Sequence, residues 1–152
     1  MDDKIILDLC GGTGSWSKPY KDAGYDVRLI TLPEHDVRLY EPPDNVYGVL
    51  AAPPCTHLAG SGARWWKAKG EEALLESLAI VDACLRIVTV TQPEFWCLEN
   101  PVGRLVRYLW APVMYFNPCD YGVRTLRRLA CGVNSTHLSR HQLSRLWEAR
   151  CT

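Results

Sequence analysis

The sequence predicts an α/β domain, a mostly parallel sheet with helices on both faces. Three observations predict it. Short apolar runs of strand length alternate with stretches of helical spacing, the pattern of strands joined by helical crossovers. Glycine and proline punctuate the ends of these segments. Three runs also end in residues able to do chemistry, at Asp8 to Gly14, Pro53 to Cys55 and Glu99 to Pro101. In open α/β sheets, ligands bind at the carboxyl ends of the strands.

Each element has a local reason. Lys4 to Leu9 is a short apolar run and reads as a buried first strand. Cys10-Gly11-Gly12-Thr13-Gly14 is a turn, after which Ser15 or Ser17 caps a helix reaching about Ala23, ended by Gly24. Tyr25 to Leu32 alternates as a second strand and Pro33 closes it; Asp36 to Leu39 is expected as a short third. Val46 to Ala51 is the next strand. Residues 56–70 read as a polar, mobile loop holding the aromatic pair Trp65-Trp66. Glu71 to Thr91 carries Leu74, Leu75, Leu78, Val81, Leu85 and Val88 at helical spacing. Pro93 to Leu98 is a strand, Gly103 to Leu109 a short helix, Arg128 to Val133 a strand and Ser139 to Ala149 a final helix.

The totals bound the function classes. The chain has 152 residues, 47% hydrophobic and 22% charged, which fits one globular domain with one core. No apolar run is long enough to span a membrane, and the start lacks the basic flank and apolar segment of a leader, so a cytoplasmic protein is expected. Seven scattered cysteines, mostly within apolar runs, read as free buried thiols of a reducing compartment. Cys131 with His137 and His141 matches no standard zinc spacing, and no metal site is expected. Net charge is zero but unevenly spread. Residues 1–100 hold 9 Lys+Arg against 15 Asp+Glu, whereas residues 101–152 hold 8, all arginine, against 2. An arginine-rich third suits a nucleic-acid-facing surface or an ordinary set of ion pairs.

The candidate site residues follow from the strand ends. The turn Asp8-Leu9-Cys10-Gly11-Gly12-Thr13-Gly14 lets backbone approach a ligand, yet it has neither the dinucleotide nor the phosphate-loop glycine pattern. It suits a ligand with little phosphate, such as S-adenosylmethionine. Cys55 stands after two prolines that fix the backbone, as a nucleophile requires, although a buried structural thiol is the commoner fate of cysteine. Glu99 ends a strand, where a cleft can raise a carboxyl group's proton affinity.

Together these parts resemble the cytosine carbon-5 DNA methyltransferases. The resemblance rests on DLCGGTGSW at 8–16, PPC at 53–55, ENP at 99–101 and DYGV followed by RTLRR at 120–128, in the family's order. PPCTHLAGSGARWW also looks like the shorter phage and prophage members. The resemblance implies a single catalytic domain with the Rossmann-like fold of S-adenosylmethionine-dependent methyltransferases. It implies Cys55 as the thiolate that adds to cytosine carbon 6, Glu99 as the acid at ring nitrogen 3, and Arg127 or Arg128 as the arginine near the base oxygen. Asp8, Cys10, Gly11, Gly12, Gly14, Trp16, Asp36 and Pro53 would hold the cofactor. Pro54, Arg64, Trp65, Trp66, Lys67, Asn100 and Arg124 would meet DNA carrying an extruded cytosine.

The chain also departs from the pattern. Thr31-Leu32-Pro33 stands where an acidic residue usually ends the second strand, with Glu34 nearest, and Arg124-Thr125 replaces a Pro-Gln. The separate target-recognition domain is missing, as is the C-terminal segment that completes the cofactor site. Alternatives therefore stay open: methylation of RNA or a cytidine nucleotide, or a non-catalytic binding protein. A homodimer or partner protein would supply sequence recognition.

Overall fold

The computed structural model describes residues 4–116 and 129–133. Its elements are β1 (Ile5–Leu9), α1 (Lys18–Asp22), β2 (Asp26–Ile30), β3 (Val46–Ala51), a 3₁₀ turn (Gly60–Trp65), α2 (Trp66–Thr91), β4 (Phe95–Pro101), a second 3₁₀ turn (Arg104–Arg107), β5 (Met114–Phe116) and β6 (Leu129–Val133). They build one six-stranded sheet in the order β2-β1-β3-β4-β6-β5. The first four strands in that order are mutually parallel, and β6 runs antiparallel to both β4 and β5.

Side-chain alternation along the strands divides the core between the two faces of the sheet. Ile5, Leu7 and Leu9 of β1, Val49 and Ala51 of β3, and Trp96 and Leu98 of β4 join Val81, Cys84 and Ile87 of α2 in one cluster. Ile6, Leu50, Phe95 and Cys97 face the other way, against Trp16 and the half-buried Tyr20 of α1. Helices thus cover both faces. Val81 and Ile87 are at most 1% exposed. Burying an aliphatic side chain fully is worth about 2 kcal/mol, so these contacts rather than helix propensity hold α2 in place.

Several expectations need correction. Asp36 to Leu39 is a turn and not a strand. The Asp36 carboxylate accepts the Arg38 backbone N–H at 3.0 Å, a local bond that replaces strand pairing, and the buried Val37 anchors the turn. The first helix is shorter than expected, with Ser17 at its amino-terminal boundary, and β2 covers only the middle of its apolar run. Residues 56–70 are not an open loop, since residues 60–65 wind into a 3₁₀ turn and α2 starts at Trp66. That helix is broken at Gly70, whose φ of 77° and ψ of −176° are non-helical, so its regular part begins at Glu71, where the apolar periodicity begins. The 103–109 segment is a 3₁₀ turn. Met114–Phe116 went unrecognised because three residues carry too little periodicity to read. Cys97 is disulfide-bonded, contrary to the expectation of free thiols, because sequence spacing alone does not reveal which sulfurs come within bonding distance. Cys10, Cys55 and Cys84 are free. The helix expected at Ser139 to Ala149 lies outside the described residues. Among the described residues, no helix is long and apolar enough to cross a membrane, and no cluster of metal-ligating side chains occurs.

Candidate active site

The carboxyl ends of β1, β2, β3 and β4 meet at one edge of the molecule. Parallel register carries Leu9 beside both Ile30 and Ala51, and Ala51 beside Leu98. The chain therefore leaves β1 into the glycine turn next to the point where it leaves β3 into Pro53-Pro54-Cys55. Two backbone bonds stitch the exits of β1, β2 and β3 together: Cys10 N–H donates to the Ile30 carbonyl at 2.8 Å, and Ala52 N–H to the Leu9 carbonyl at 2.9 Å.

Asp8 organises the turn. Its side chain is fully buried and accepts a 2.6 Å hydrogen bond from the Ser17 hydroxyl at the start of α1. Ser17 Oγ also lies 3.2 Å from the Gly14 carbonyl, tying turn to helix. A Cβ on Gly11 would come within 2.1 Å of the Asp8 carboxylate, so only glycine fits there. Gly12, at φ of 61°, has nothing within 4 Å of where a Cβ would stand, which leaves the backbone bare on its outer side.

Beside this turn lies a cavity of about 150 Å³. Cys10, Ile30, Leu32, His35, Asp36 and Pro54 are among its lining residues. Three strand exits contribute to that wall. Asp36 is held by Arg38, whose Nη2 lies 2.6 Å from Oδ2. Hydrogen bonds from the Arg38 side chain and backbone pull the Asp36 carboxyl down to about 2. The Cys10 thiol is hydrogen-bonded to Cys84 of α2, which lowers its pKa against the opposing effects of burial and of Asp8 and Asp36. The same bond and burial push Cys84 up. Trp16 is placed differently: it is 3% exposed within the core cluster of the α1 face and does not line this cavity.

Cys55 is half-buried just beyond Pro53 and Pro54. Its carbonyl accepts the N–H groups of Leu58 and Ala59, both at 2.9 Å, so the chain turns tightly after the thiol. Glu99 and Asn100 are buried, at 6% and 2% exposure. Asn100 Nδ2 donates to the Pro53 carbonyl at 3.0 Å, which fastens the end of β4 to the segment carrying Cys55. Asn100 Oδ1 is buried without a hydrogen-bond partner among the described residues. A carboxyl group, a carboxamide and a thiol are thus carried by two adjoining strand exits.

The remaining expected residues divide. Arg64 lies over the Trp65 ring at 5.1 Å, and both are exposed with Lys67 on one outer surface. Trp66 instead turns inward under Arg104, whose guanidinium carbon lies 4.7 Å from the ring centroid. Arg124, Arg127 and Arg128 lie outside the described residues. Leu129, the first residue of β6, pairs with Pro101 at the carboxyl end of β4. Sequence reasoning missed His35 of the cavity wall and Arg104. The signal for Arg104 was a lone arginine between apolar residues in Val102-Gly103-Arg104-Leu105-Val106.

No family model matches this sequence. No curated protein matches it either. Among solved structures, the chain is similar to one described as a candidate DNA modification methyltransferase encoded within an E. coli prophage. The TM-score is 0.58 at 18% identity, over 86% of this chain and 46% of that one. The present chain therefore spans less than half the length of that structure. At such identity the likeness concerns architecture, and with the sheet order above it gives this chain an α/β, Rossmann-like fold shared with that structure.

Proposed function

We propose that the protein is a DNA methyltransferase that transfers a methyl group from S-adenosylmethionine to carbon 5 of cytosine, with Cys55 as nucleophile. One observation carries the reading: a glycine turn, a proline-fixed thiol and the Glu99-Asn100 pair leave neighbouring parallel strands at one edge of the sheet, where Asn100 is bonded to the Pro53 carbonyl and a cavity opens between Cys10 and Pro54. The similarity in fold to the prophage-encoded protein supports it.

The residues present suit the cofactor. The turn offers open backbone at Gly12, and the cavity beside it has apolar walls from Ile30 and Leu32, with Asp36 also in its lining. Asp8, through Ser17, holds that turn in shape. S-adenosylmethionine, when bound, supplies an electrophilic methyl group. Cytosine carbon 5 is a weak nucleophile. Addition of the Cys55 thiolate to carbon 6 would make carbon 5 enamine-like and able to take the methyl group, whose bond to the sulfonium sulfur would break to leave the neutral thioether. Glu99 donates a proton to ring nitrogen 3, where negative charge would otherwise build. Asn100 holds the Pro53 carbonyl, and with it the direction in which Cys55 leaves β3. Loss of the carbon-5 proton to a base then expels the Cys55 thiolate. Arg127 or Arg128 would stabilise charge at the base oxygen. Arg64, Trp65 and Lys67 form a cationic, aromatic surface suited to stacking and phosphate contact.

The test is covalent trapping. DNA carrying 5-fluorocytosine stalls the reaction as a thioether, because fluorine cannot leave as a proton does. Protein and S-adenosylmethionine should yield an adduct on a denaturing gel, and Cys55→Ser should yield none. Cofactor binding without an adduct on DNA, followed by one on RNA or a fluorinated nucleotide, would replace DNA as the substrate. Neither cofactor binding nor adduct would sink the enzyme reading and leave a non-catalytic binding protein.

A further inference from the structure

The least expected feature beside the site is a buried arginine. Arg104 is 8% exposed, has no ion pair among the described residues, and its Nη2 has no hydrogen-bond partner there. Burying a cation without a counter-charge is costly, and a fold tolerates it where the charge or its geometry is used.

What Arg104 does hold is the turn after Cys55. Its Nε donates to the His57 carbonyl at 2.7 Å, and its backbone N–H donates to the Leu58 carbonyl at 2.9 Å. Next to it, Gly60 N–H donates to the Val102 carbonyl at 2.9 Å, and Ala59 and Gly103 form an antiparallel bridge. The two segments lie so close that a Cβ on Gly103 would fall 2.0 Å from the Leu58 carbonyl oxygen. The Trp66 ring supports the guanidinium through a cation–π contact. This brace joins the segment that follows Glu99 and Asn100 to the turn that begins at Cys55.

We propose that Arg104 is a positioning residue whose side chain fixes Cys55 relative to Glu99 by clamping the His57 carbonyl, next to the Leu58 carbonyl that its backbone N–H holds. The proposal rests on the methyltransferase reading above, but the clamp itself can be tested apart from it. Arg104→Met removes the donor and keeps apolar bulk; Arg104→Lys keeps the charge and loses the forked geometry.

Amide hydrogen exchange and the rate of adduct formation with 5-fluorocytosine DNA should both be measured for these variants. In both, exchange at Leu58 and Ala59 should accelerate by about tenfold or more, while β1 and β3 amides keep their protection. Adduct formation should slow by roughly 10- to 100-fold, the cost of misplacing a reacting group by an ångström or less. S-adenosylmethionine affinity should stay within about twofold, because Arg104 does not line the cofactor cavity. Unchanged exchange at Leu58 and Ala59 would overturn the proposal. So would full rescue by lysine, which would make charge rather than position the cause, or a parallel loss of cofactor affinity, which would mark general unfolding. If the wild-type chain forms no adduct, the catalytic reading fails, while the exchange data still decide whether Arg104 holds the turn.

Discussion

The two ends of the parallel sheet bury opposite kinds of chemistry. At the amino ends of the strands, Tyr20, Tyr25, Tyr47 and Phe95 interlock, with ring centroids 5.5 to 5.9 Å apart in stacked and edge-on pairs. Phe95 sits so close over Gly48 that a Cβ there would lie 2.3 Å from the ring. Burial pushes the Tyr20 hydroxyl's pKa up, since the phenolate would be poorly solvated. At the carboxyl ends the buried groups are Asp8, Ser17, Glu99, Asn100 and Arg104. Polar atoms without a hydrogen-bond partner among the described residues cluster there as well, on His57, Trp66, Asn100 and Arg104. Aromatic contacts at one end add stability, whereas buried polar groups at the other cost it. The same sheet thus carries an aromatic foundation at one end and a set of buried polar groups at the other.

Mutations should separate these roles. Cys55→Ser gives the largest expected effect: adduct formation should fall by at least about 1,000-fold, because a hydroxyl is a far weaker nucleophile than a thiolate. The melting temperature should move by less than about 2 °C, since one sulfur is exchanged at a half-buried position; a large drop would make Cys55 a structural residue. Phe95→Ala should do the reverse and destabilise by roughly 3–5 kcal/mol in urea unfolding, while folded protein keeps its cofactor affinity. If affinity fell with stability, the two ends would not be independent. Gly11→Ala tests the junction, because its methyl group meets the Asp8 carboxylate and must displace the turn. A stability loss of about 1–3 kcal/mol is expected, with a disproportionate loss of cofactor binding by calorimetry.

Smaller effects sharpen the contrast. Trp65 is 53% exposed, so Trp65→Ala should change stability by no more than about 0.5 kcal/mol. It should weaken DNA binding by about tenfold, the value of one lost stacking contact. The smallest effect concerns pH. Hydrogen bonds from Arg38 lower the Asp36 carboxyl from 3.8 to about 2 in the fold. A depressed folded value stabilises above the unfolded pKa and is lost as pH falls through 3.8 toward 2. Arg38→Ala should return the Asp36 titration, followed by NMR, to the usual carboxylate range, and should leave stability at pH 7 almost unchanged because the pair is solvent-exposed.

Much of this arrangement is legible in the chain. The strands β1, β3 and β4 stand out because runs buried on both faces are continuously apolar, and their ends are marked by Gly11, Pro53 and Pro101. The regular part of α2 is legible from its spacing. Asp36 to Leu39 misleads because alternation over four residues is also what a turn around one buried valine produces. The pairing of Asn100 with Pro53 spans two strands and leaves no local trace. Arg104 is hidden for a related reason: its value lies in carbonyls of a distant segment, which residue identity does not report. Trp65 and Trp66 look equivalent in sequence, yet one faces solvent and the other supports Arg104, a difference set by winding alone.

The antiparallel pairing of β4 with β6 has a consequence for truncation. Glu99 lies opposite Cys131, and the exchange of hydrogen bonds runs from Cys97–Val133 to Pro101–Leu129. A shortened chain that stops after Phe116 would lose more than the arginines from Arg124 onward. It would turn the strand bearing Glu99 and Asn100 into a bare sheet edge, with apolar residues on both sides and main-chain donors and acceptors free to recruit another molecule. Such a fragment should self-associate, and aggregation rather than inactivity would be its first symptom.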